Sequence, residues 1–180
     1  DLMKALSAVS IRQYEQAEEA LEDYERTISL GLAAVLRDRR ARGLPPPQTG
    51  SPRGAEALVV IGSDHGLCGR YNENVVREAG AQSGPETVLL AVFGVRAEAR
   101  LEGEGRRADL RFVLPGSVAG LTPAVQAVIV EIERWTREEG IGRVRVVHSR
   151  RTGKAETEVV ARDLLPIPES EIDALVREGW

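Results

Sequence analysis

Residues 57–79 read ALVVIGSDHGLCGRYNENVVREA, and this stretch decides the fold that the sequence predicts. Its first part, Ala57–Ile61, is a compact apolar run of the kind that forms a strand buried on both faces. A turn punctuated by three glycines, Gly62, Gly66 and Gly69, follows. The apolar residues after this turn recur at helical spacing, so we predict a strand, a tight loop and a helix. That arrangement is the first unit of a doubly wound α/β domain.

Glycines at the carboxyl end of a strand also raise the hypothesis of a phosphate-binding loop. A dinucleotide site needs the spacing G-x-G-x-x-G, which the glycines of this loop do not have. A P-loop needs Gly-Lys-Ser/Thr directly before the helix, whereas Gly69 is followed by Arg70 and Tyr71. We therefore favour glycines that serve a tight turn and close strand–helix packing. A small nucleotide- or phosphate-binding α/β protein that uses residues 62–70 is the alternative function.

The loop and the start of its helix resemble the signature Ser/Thr-Asp-x-Gly-Leu-Cys-Gly-x-x-Asn-x-x-Val of the γ subunit of F-type ATP synthases. The matching positions are Ser63, Asp64, Gly66, Leu67, Cys68, Gly69, Asn72, Asn74 and Val75. Arg70 and Tyr71 stand where the family usually has two small or aromatic residues. The resemblance implies that this loop is structural and interfacial and performs no catalysis.

Residues 1–42 predict one long helix, because they contain only Gly31 and no proline. Apolar side chains recur every seven residues along it, which is the pattern of a coiled-coil seam. We assign to this seam Leu2, Leu6, Val9, Tyr14, Ala17, Leu21, Tyr24, Ile28 and Val35. At ~1.5 Å per residue the helix is roughly 60 Å long, so part of it must meet another helix. A surface helix docked along its own domain is the alternative.

The same helix extends the resemblance to the γ subunit family. Residues 2–12, LMKALSAVSIR, are similar to the family's N-terminal segment, with Ala5, Leu6 and Val9 at its Ala-Met and Val positions. The lysine that follows in the family falls on Gln13 here. By resemblance, this helix is half of an antiparallel coiled coil, the shaft that turns inside the catalytic hexamer.

The rest of the chain predicts an α/β domain with a Rossmann-like mixed sheet of about five strands and flanking helices. Beyond a Gly- and Pro-rich linker, apolar runs predict further strands at 87–93, 109–114, 143–149 and 157–165. The turn at 150–154 is too short for a crossover, so the last strand should run antiparallel to its neighbour.

Two further helices are predicted within this domain, at 95–104 and 121–139. Thr122 can cap the second, with Pro123 in its first turn. Its predicted buried stripe comprises Val125, Val128, Ile129, Ile132 and Trp135.

The end of the chain resembles the γ family as well. Residues 163–167, DLLPI, are similar to the family's closing strand, and residues 169–180 begin a helix that Ser170 can cap. In the family this helix continues for many turns and pairs with the N-terminal helix, so we expect most of it to be missing from this sequence. The predicted domains are a shaft helix at 1–42, a linker at 43–56, an α/β foot at 57–168 and the start of the C-terminal helix at 169–180.

The composition is that of an ordinary globular protein, with 42% hydrophobic and 29% charged residues. A net charge of −4 and only 4% aromatic residues argue against a nucleic-acid partner. No apolar run approaches the ~18 residues that span a bilayer. Cys68 is the only cysteine, which excludes an intramolecular disulfide and favours a reducing compartment.

We find no catalytic constellation, metal site or cofactor site in the sequence. His65 and Cys68 lie three residues apart, but a zinc site needs four ligands and a Cys–His nucleophile needs an orienting partner. Ser63, Asp64 and His65 are consecutive, so their side chains cannot align as a triad. Cys68 is therefore expected to be a small packing residue.

The resemblance implies a non-catalytic rotor subunit of the central stalk, which couples ion flow through the membrane ring to ATP synthesis or hydrolysis in the catalytic head. The partners it implies are the catalytic α/β hexamer, the ε subunit and the membrane c ring. The implied location is the cytoplasmic face of the membrane, as a peripheral part of the complex. His65, Arg70, Tyr71 and the presence of only two lysines favour a divergent branch, with the sodium-type ATPase γ subunit as the candidate. If the C-terminal helix is absent, residues 14–35 are expected to self-associate.

Overall fold

The computed structural model describes residues 2–45, 54–152 and 156–177. These residues form two compact units. The first unit takes residues 2–45, 116–120 and 168–177, and the second takes 54–115, 121–152 and 156–167. Part of the predicted linker, residues 46–53, lies outside the described residues, as do residues 153–155 of the predicted turn and the last three residues of the predicted C-terminal helix.

The first unit is built on helix α1, which runs over Leu2–Ala41 and confirms the predicted long helix. It ends at Gly43, whose φ of 69° is the left-handed conformation that glycine adopts without strain. The amide of Gly43 donates to the carbonyl of Arg40, and the amide of Leu44 donates to that of Arg39. This pair of hydrogen bonds is a Schellman motif, which satisfies carbonyls at the helix end and stops the helix.

The second unit contains a five-stranded sheet with the order β3-β2-β1-β4-β5. Its strands are β1 (Ala55–Ile61), β2 (Thr87–Phe93), β3 (Leu110–Phe112), β4 (Ile141–Arg151) and β5 (Thr157–Leu165). Strands β1 to β4 are parallel, and β5 pairs antiparallel with β4 as predicted. The α/β class and the mixed sheet are therefore confirmed, although β1 begins two residues earlier than expected and β3 is shorter.

Strand β1 is the centre of this sheet, and its side chains supply both faces of the core. Ala57 and Val59 belong to a cluster that includes the fully buried Trp135, whereas Leu58 and Val60 belong to a cluster on the opposite face. The helices of the unit are α2 (Tyr71–Gln82), α3 (Val95–Gly103) and α4 (Leu121–Glu138). Helices α2 and α3 supply residues to the second cluster, and α4 supplies Trp135 to the first.

Helix α4 departs from the prediction in two ways. A turn of 3-10 helix at Val118–Gly120 leads directly into Leu121, so the helix begins before Thr122 and that residue is not its cap. Of the predicted stripe only Trp135 is fully buried, while Val125 and Ile129 remain about half exposed, at 55% and 50%. The sheet thus covers only part of the apolar stripe of α4.

Helix α5 (Glu169–Arg177) belongs to the first unit and packs against the end of α1. It begins at Glu169 because the Pro168 carbonyl accepts the first-turn amides of Glu171 and Ile172, so Ser170 lies inside the helix instead of capping it. Arg37 Nε donates to the Val176 carbonyl at 2.8 Å, which ties the two helices together. None of the described helices is long and apolar enough to cross a membrane.

Candidate functional site

The signature loop lies at the carboxyl end of β1 and is pressed against the turn between β2 and α3. The amide of Gly62 donates to the carbonyl of Phe93 at 2.9 Å, which extends the β1–β2 pairing by one residue. A Cβ at Gly62 would overlap Cβ of Ala97 on α3. Gly94 has a φ of 92°, and a Cβ added to it would lie 2.6–2.8 Å from backbone atoms of Ser63, which is too close for any side chain. Glycine is therefore required on both sides of this contact.

Asn72, at the start of α2, holds the loop in shape through its buried side chain. Its Oδ1 accepts the Ser63 amide at 2.9 Å, and its Nδ2 donates to Ser63 Oγ at 2.9 Å and to Cys68 Sγ at 3.3 Å. Ser63 Oγ also donates to the His65 carbonyl at 3.0 Å. Ser63, Cys68 and Asn72 thus form one hydrogen-bonded cluster. Asn72 is only 7% exposed, and a buried amide side chain needs hydrogen-bond partners within the protein.

Asp64 fixes the loop to the neighbouring helix. Its Oδ1 accepts the amide of Val95 at 3.0 Å, which places a carboxylate at the N-terminus of α3. The Ser63 carbonyl accepts the amide of Arg96 at 3.1 Å, so a second first-turn donor of α3 is also satisfied from this loop. Capping of this kind is favourable because the first amides of a helix lack partners within it.

The internal hydrogen bonds leave an apolar tip facing outward. Leu67 is fully exposed, although an apolar side chain is usually more stable when it is buried. The residues next to it in the loop are held in place by the hydrogen bonds described above. Beside it, a cleft of about 520 Å³ is lined by Gly66, Gly69, Arg96 and Arg100, among others. A rigid loop with an exposed leucine next to arginines is a surface suited to a protein partner.

Two titratable groups at the start of α2 have shifted pKa values. Burial raises the pKa of Tyr71 above its ordinary value, and the neighbouring Cys68 adds to the rise. The hydrogen bond from Arg70 lowers the pKa of Glu73, with the Arg70 guanidinium 2.6 Å from the carboxylate. The Arg70 guanidinium is therefore paired with a carboxylate in the first turn of the helix that follows it.

The loop offers no nucleophile–base geometry. Cys68 Sγ donates to the backbone carbonyl of His65 at 3.2 Å, so the hydrogen bond between these residues does not involve the imidazole ring. The two amides that flank the loop are engaged internally, since Ser63 donates to Asn72 and Tyr71 donates to the Cys68 carbonyl. Over residues 2–45, 54–152 and 156–177, no cluster of His, Cys, Asp and Glu could hold a metal ion.

The second exposed feature is the predicted seam of α1, which lies in the other unit. Between residues 14 and 35, five of its large side chains are exposed, and Tyr24 is the most exposed at 64%; they are Tyr14, Leu21, Tyr24, Ile28 and Val35. Val9 is exposed too, Ala17 is half-buried, and the side chains of Leu2 and Leu6 lie outside the described residues.

Sequence reasoning missed several residues of these two surfaces. Leu32, four residues after Ile28 and 36% exposed, continues the apolar stripe of α1. In the second unit, the packing role of Gly94 and Ala97 was not predicted. The sequence did contain a signal for this role, because a glycine comes directly after the apolar run of β2. The parallel strands β1 and β2 end at the same edge of the sheet, so the loops that follow them lie close together there.

Comparison with known proteins gives the family. A family model described as ATP synthase matches residues 1–178. A gamma chain of ATP synthase from Granulibacter bethesdensis is 33% identical over 127 residues, which cover 66% of this chain. The chain belongs to the ATP synthase gamma chain family. The gamma chain from Pelotomaculum thermopropionicum is 29% identical over 98 residues, or 54% of this chain.

The matched parts are only a portion of those relatives, since they span 34% of the Pelotomaculum gamma chain and 41% of the Granulibacter one. Among solved structures, the central stalk and c-ring of the Tetrahymena thermophila mitochondrial ATP synthase contains a similar chain, with a TM-score of 0.57 and 18% identity. That match covers 97% of this chain and 76% of the other. The rotor of the Euglena gracilis enzyme gives a TM-score of 0.52 at 17% identity, covering 92% and 65%. These likenesses establish a shared fold with those two chains.

Proposed function

We propose that this chain is a non-catalytic γ subunit of the central stalk of a rotary F-type ATP synthase, where it couples ion flow through the membrane ring to ATP synthesis or hydrolysis. The observation that carries the proposal is the forty-residue helix α1, whose apolar stripe remains exposed, in a chain of the gamma chain family. An isolated helix gains little from such a stripe, so the stripe must be covered by other helices when the protein works.

In this function the shaft is residues 1–42, the linker is 43–56, the foot is 57–168, and residues 169–180 begin the returning helix. The shaft carries torque to the catalytic α/β hexamer, and pairing with a second helix stiffens it against twist. The foot binds the c ring and the ε subunit. The protein is then a peripheral component on the cytoplasmic face of a membrane-bound complex and has no enzymatic activity of its own.

The signature loop is the part of the foot that we assign to partner contact. Its hydrogen bonds to Asn72 and its cap on α3 fix its shape before binding, and this lowers the entropy cost of docking. Leu67 supplies the apolar contact, and Arg96 and Arg100 line the cleft to which its chain neighbours Gly66 and Cys68 belong. Ser63, Asp64 and Asn72 support the surface without touching the partner.

A finer assignment concerns the coupling ion. The departures at His65, Arg70 and Tyr71 and the scarcity of lysine support a divergent branch, for which we propose the sodium-type enzyme. The complex assembled with this chain should then hydrolyse ATP faster when Na⁺ is added at constant ionic strength. Equal rates in Na⁺ and K⁺ would contradict this assignment and leave the stalk function standing.

The stalk function is tested by assembly. The full chain is mixed with α and β subunits from the same source, and complexes are separated by size and assayed for ATP hydrolysis. We expect co-elution with the hexamer and a changed hydrolysis rate, while the chain alone hydrolyses nothing. Elution of the chain apart from the hexamer, with no effect on the rate, would refute the proposal.

The loop assignment has its own matched pair of variants. Leu67→Ala removes the exposed side chain and should weaken binding of the chain to its assembled partners about tenfold or more, as loss of an interface anchor does. Val113→Ala truncates another largely exposed apolar residue of the same unit and should bind as the wild type does. If both variants bind normally, the loop is not the contact surface.

A further inference from the structure

A cavity of about 260 Å³ lies at the carboxyl ends of β2 and β3, beside the first turn of α3. In doubly wound α/β sheets, ligands bind in crevices outside this edge of the sheet. Its apolar walls are supplied by Val92, Val95, Phe112, Val113 and Leu114. Val92 is buried, and the Phe112 ring stacks on Phe93 with 4.8 Å between the ring centroids. The core therefore fixes the inner wall of the cavity.

The opening of the cavity is bordered by apolar side chains that remain in contact with water. Val95 is 59% exposed and Val113 is 86% exposed, although both line the cavity. A cavity of about 150 Å³ holds benzene, so this larger one has room for a ring with a short polar arm. A ligand with an apolar body would be favoured here, because its binding removes these walls from water.

The polar groups around the cavity carry an excess of negative charge. Glu98 is buried and forms an ion pair with Arg111, whose guanidinium also lies 3.8 Å from Glu102. Asp64 is a further carboxylate of the cavity, and among the described residues it has no cationic partner. Three carboxylates thus surround a single guanidinium, and this excess favours a positively charged ligand.

Asp64 is oriented before any ligand binds. Its Oδ1 accepts the Val95 amide at 3.0 Å, which holds the carboxylate at the border of the cavity. The guanidinium of Arg96 lies over Gly66 and lines the other cleft, so it does not pair with Asp64. A carboxylate that is already held in place loses little side-chain entropy on binding, and this strengthens its contribution to affinity.

We infer that this cavity binds a small organic cation, whose ammonium group pairs with Asp64 and whose apolar body lies against Val95 and Phe112. A metal ion fits less well, because Glu98 is already paired with Arg111. Over the part of the chain that the structure describes, no group of His, Cys, Asp and Glu could hold a metal. The inference goes beyond the stalk function, which assigns no ligand to this cavity, and its failure would leave the assembly test unaffected.

The test uses benzylamine as the probe, with benzyl alcohol as its neutral analogue and benzoate as its anionic one. Each is titrated into the full chain at pH 7 and constant ionic strength, up to about 20 mM, while NMR follows the valine methyl signals. With benzylamine, the signals of Val95 and Val113 should shift and saturate with a Kd of about 1 mM, as expected for so small a ligand. Benzyl alcohol should bind about tenfold more weakly because it lacks the charge, and benzoate should leave both signals unchanged. Val88 is as exposed as Val95 but lies at the other end of β2, so its signal should not move.

A pair of variants isolates the charge of Asp64. Asp64→Asn keeps an oxygen that can accept the Val95 amide, so it should weaken benzylamine binding about fivefold or more and leave benzyl alcohol unaffected. Glu102→Gln is the control, because it removes a carboxylate of α3 that does not line the cavity, and the Kd should stay nearly the same.

Three results would overturn the inference. They are no shift of Val95 and Val113 at about 20 mM benzylamine, similar binding of the charged and neutral probes, and benzylamine binding that survives Asp64→Asn unchanged. Shifts at Val88 as large as those at Val95 would likewise place the probe elsewhere and overturn it. Because the three probes are compared on the wild-type chain, the test stands even where a variant does not fold.

Discussion

Replacement of Asn72 by alanine tests the claim that the signature loop is held from within. The substitution removes two hydrogen bonds of 2.9 Å to Ser63 and one of 3.3 Å to Cys68, and it leaves the Ser63 amide without its acceptor. Each well-formed bond contributes about 1 kcal/mol net, and a desolvated amide that loses its acceptor costs about 1–3 kcal/mol. We expect the free energy of unfolding to fall by about 2–4 kcal/mol, which lowers the melting temperature by roughly 5–15 °C.

The matched control is Asn74→Ala. Asn74 is the same residue type and lies in the same helix, but its side chain accepts from Arg77 at the surface, at 3.1 Å. Alanine is also the better helix former, so the free energy of unfolding should change by less than about 0.5 kcal/mol.

Urea denaturation followed by tryptophan fluorescence measures the difference, since Trp135 is fully buried in the core of the unit that carries the loop. A further readout is the loop itself, because Asn72→Ala should also weaken partner binding through Leu67 whereas Asn74→Ala should not. If the two alanine variants unfold at the same urea concentration, the hydrogen bonds of Asn72 do not stabilise the loop and the reasoning above is refuted.

Three further outcomes follow from the same geometry. Gly62→Ala should destabilise the protein by about 1–3 kcal/mol because the new methyl group overlaps Ala97. The control, Gly84→Ala, has open space around it and should be neutral or slightly stabilising. Equal melting temperatures of the two variants would contradict the packing argument. Burial and Cys68 raise the pKa of Tyr71 in the folded protein. The stability that Tyr71 contributes is therefore complete below about pH 10, the pKa of an unfolded tyrosine, and is lost as the pH rises through the folded pKa. Tyr71→Phe should lose less stability than the wild type in urea titrations at alkaline pH. The loop glycines have neither the dinucleotide nor the P-loop spacing, and the flanking amides of Ser63 and Tyr71 are engaged internally. Millimolar ATP, ADP or NAD should therefore leave the melting temperature unchanged, and a concentration-dependent rise would restore the nucleotide-binding alternative.

Local pattern was sufficient for the elements of this protein. The seven-residue recurrence in α1, the continuous apolar runs of β1 and β2, and the short turn before β5 each depend on neighbours in sequence, so the helix, the strands and the antiparallel final pair followed from the residues alone. The helix starts were less well determined, because the turn at 118–120 and the carbonyl of Pro168 compete with the side chains of Thr122 and Ser170 for the first amides.

What the sequence by itself determined is therefore the set of helices and strands, the α/β class and the position of the signature loop between β1 and α2. Only the tertiary structure decided that Asn72 and Asp64 hold that loop while Leu67 is exposed to solvent. Asn72 reaches Ser63 and Cys68 across the folded loop, and Asp64 reaches the amide of Val95 on α3, which comes much later in the chain. The tertiary structure also left Ile129 exposed and placed α5 away from the stripe of α1. The physical reason is that periodicity records which side chains are apolar, whereas burial depends on which surface arrives to cover them.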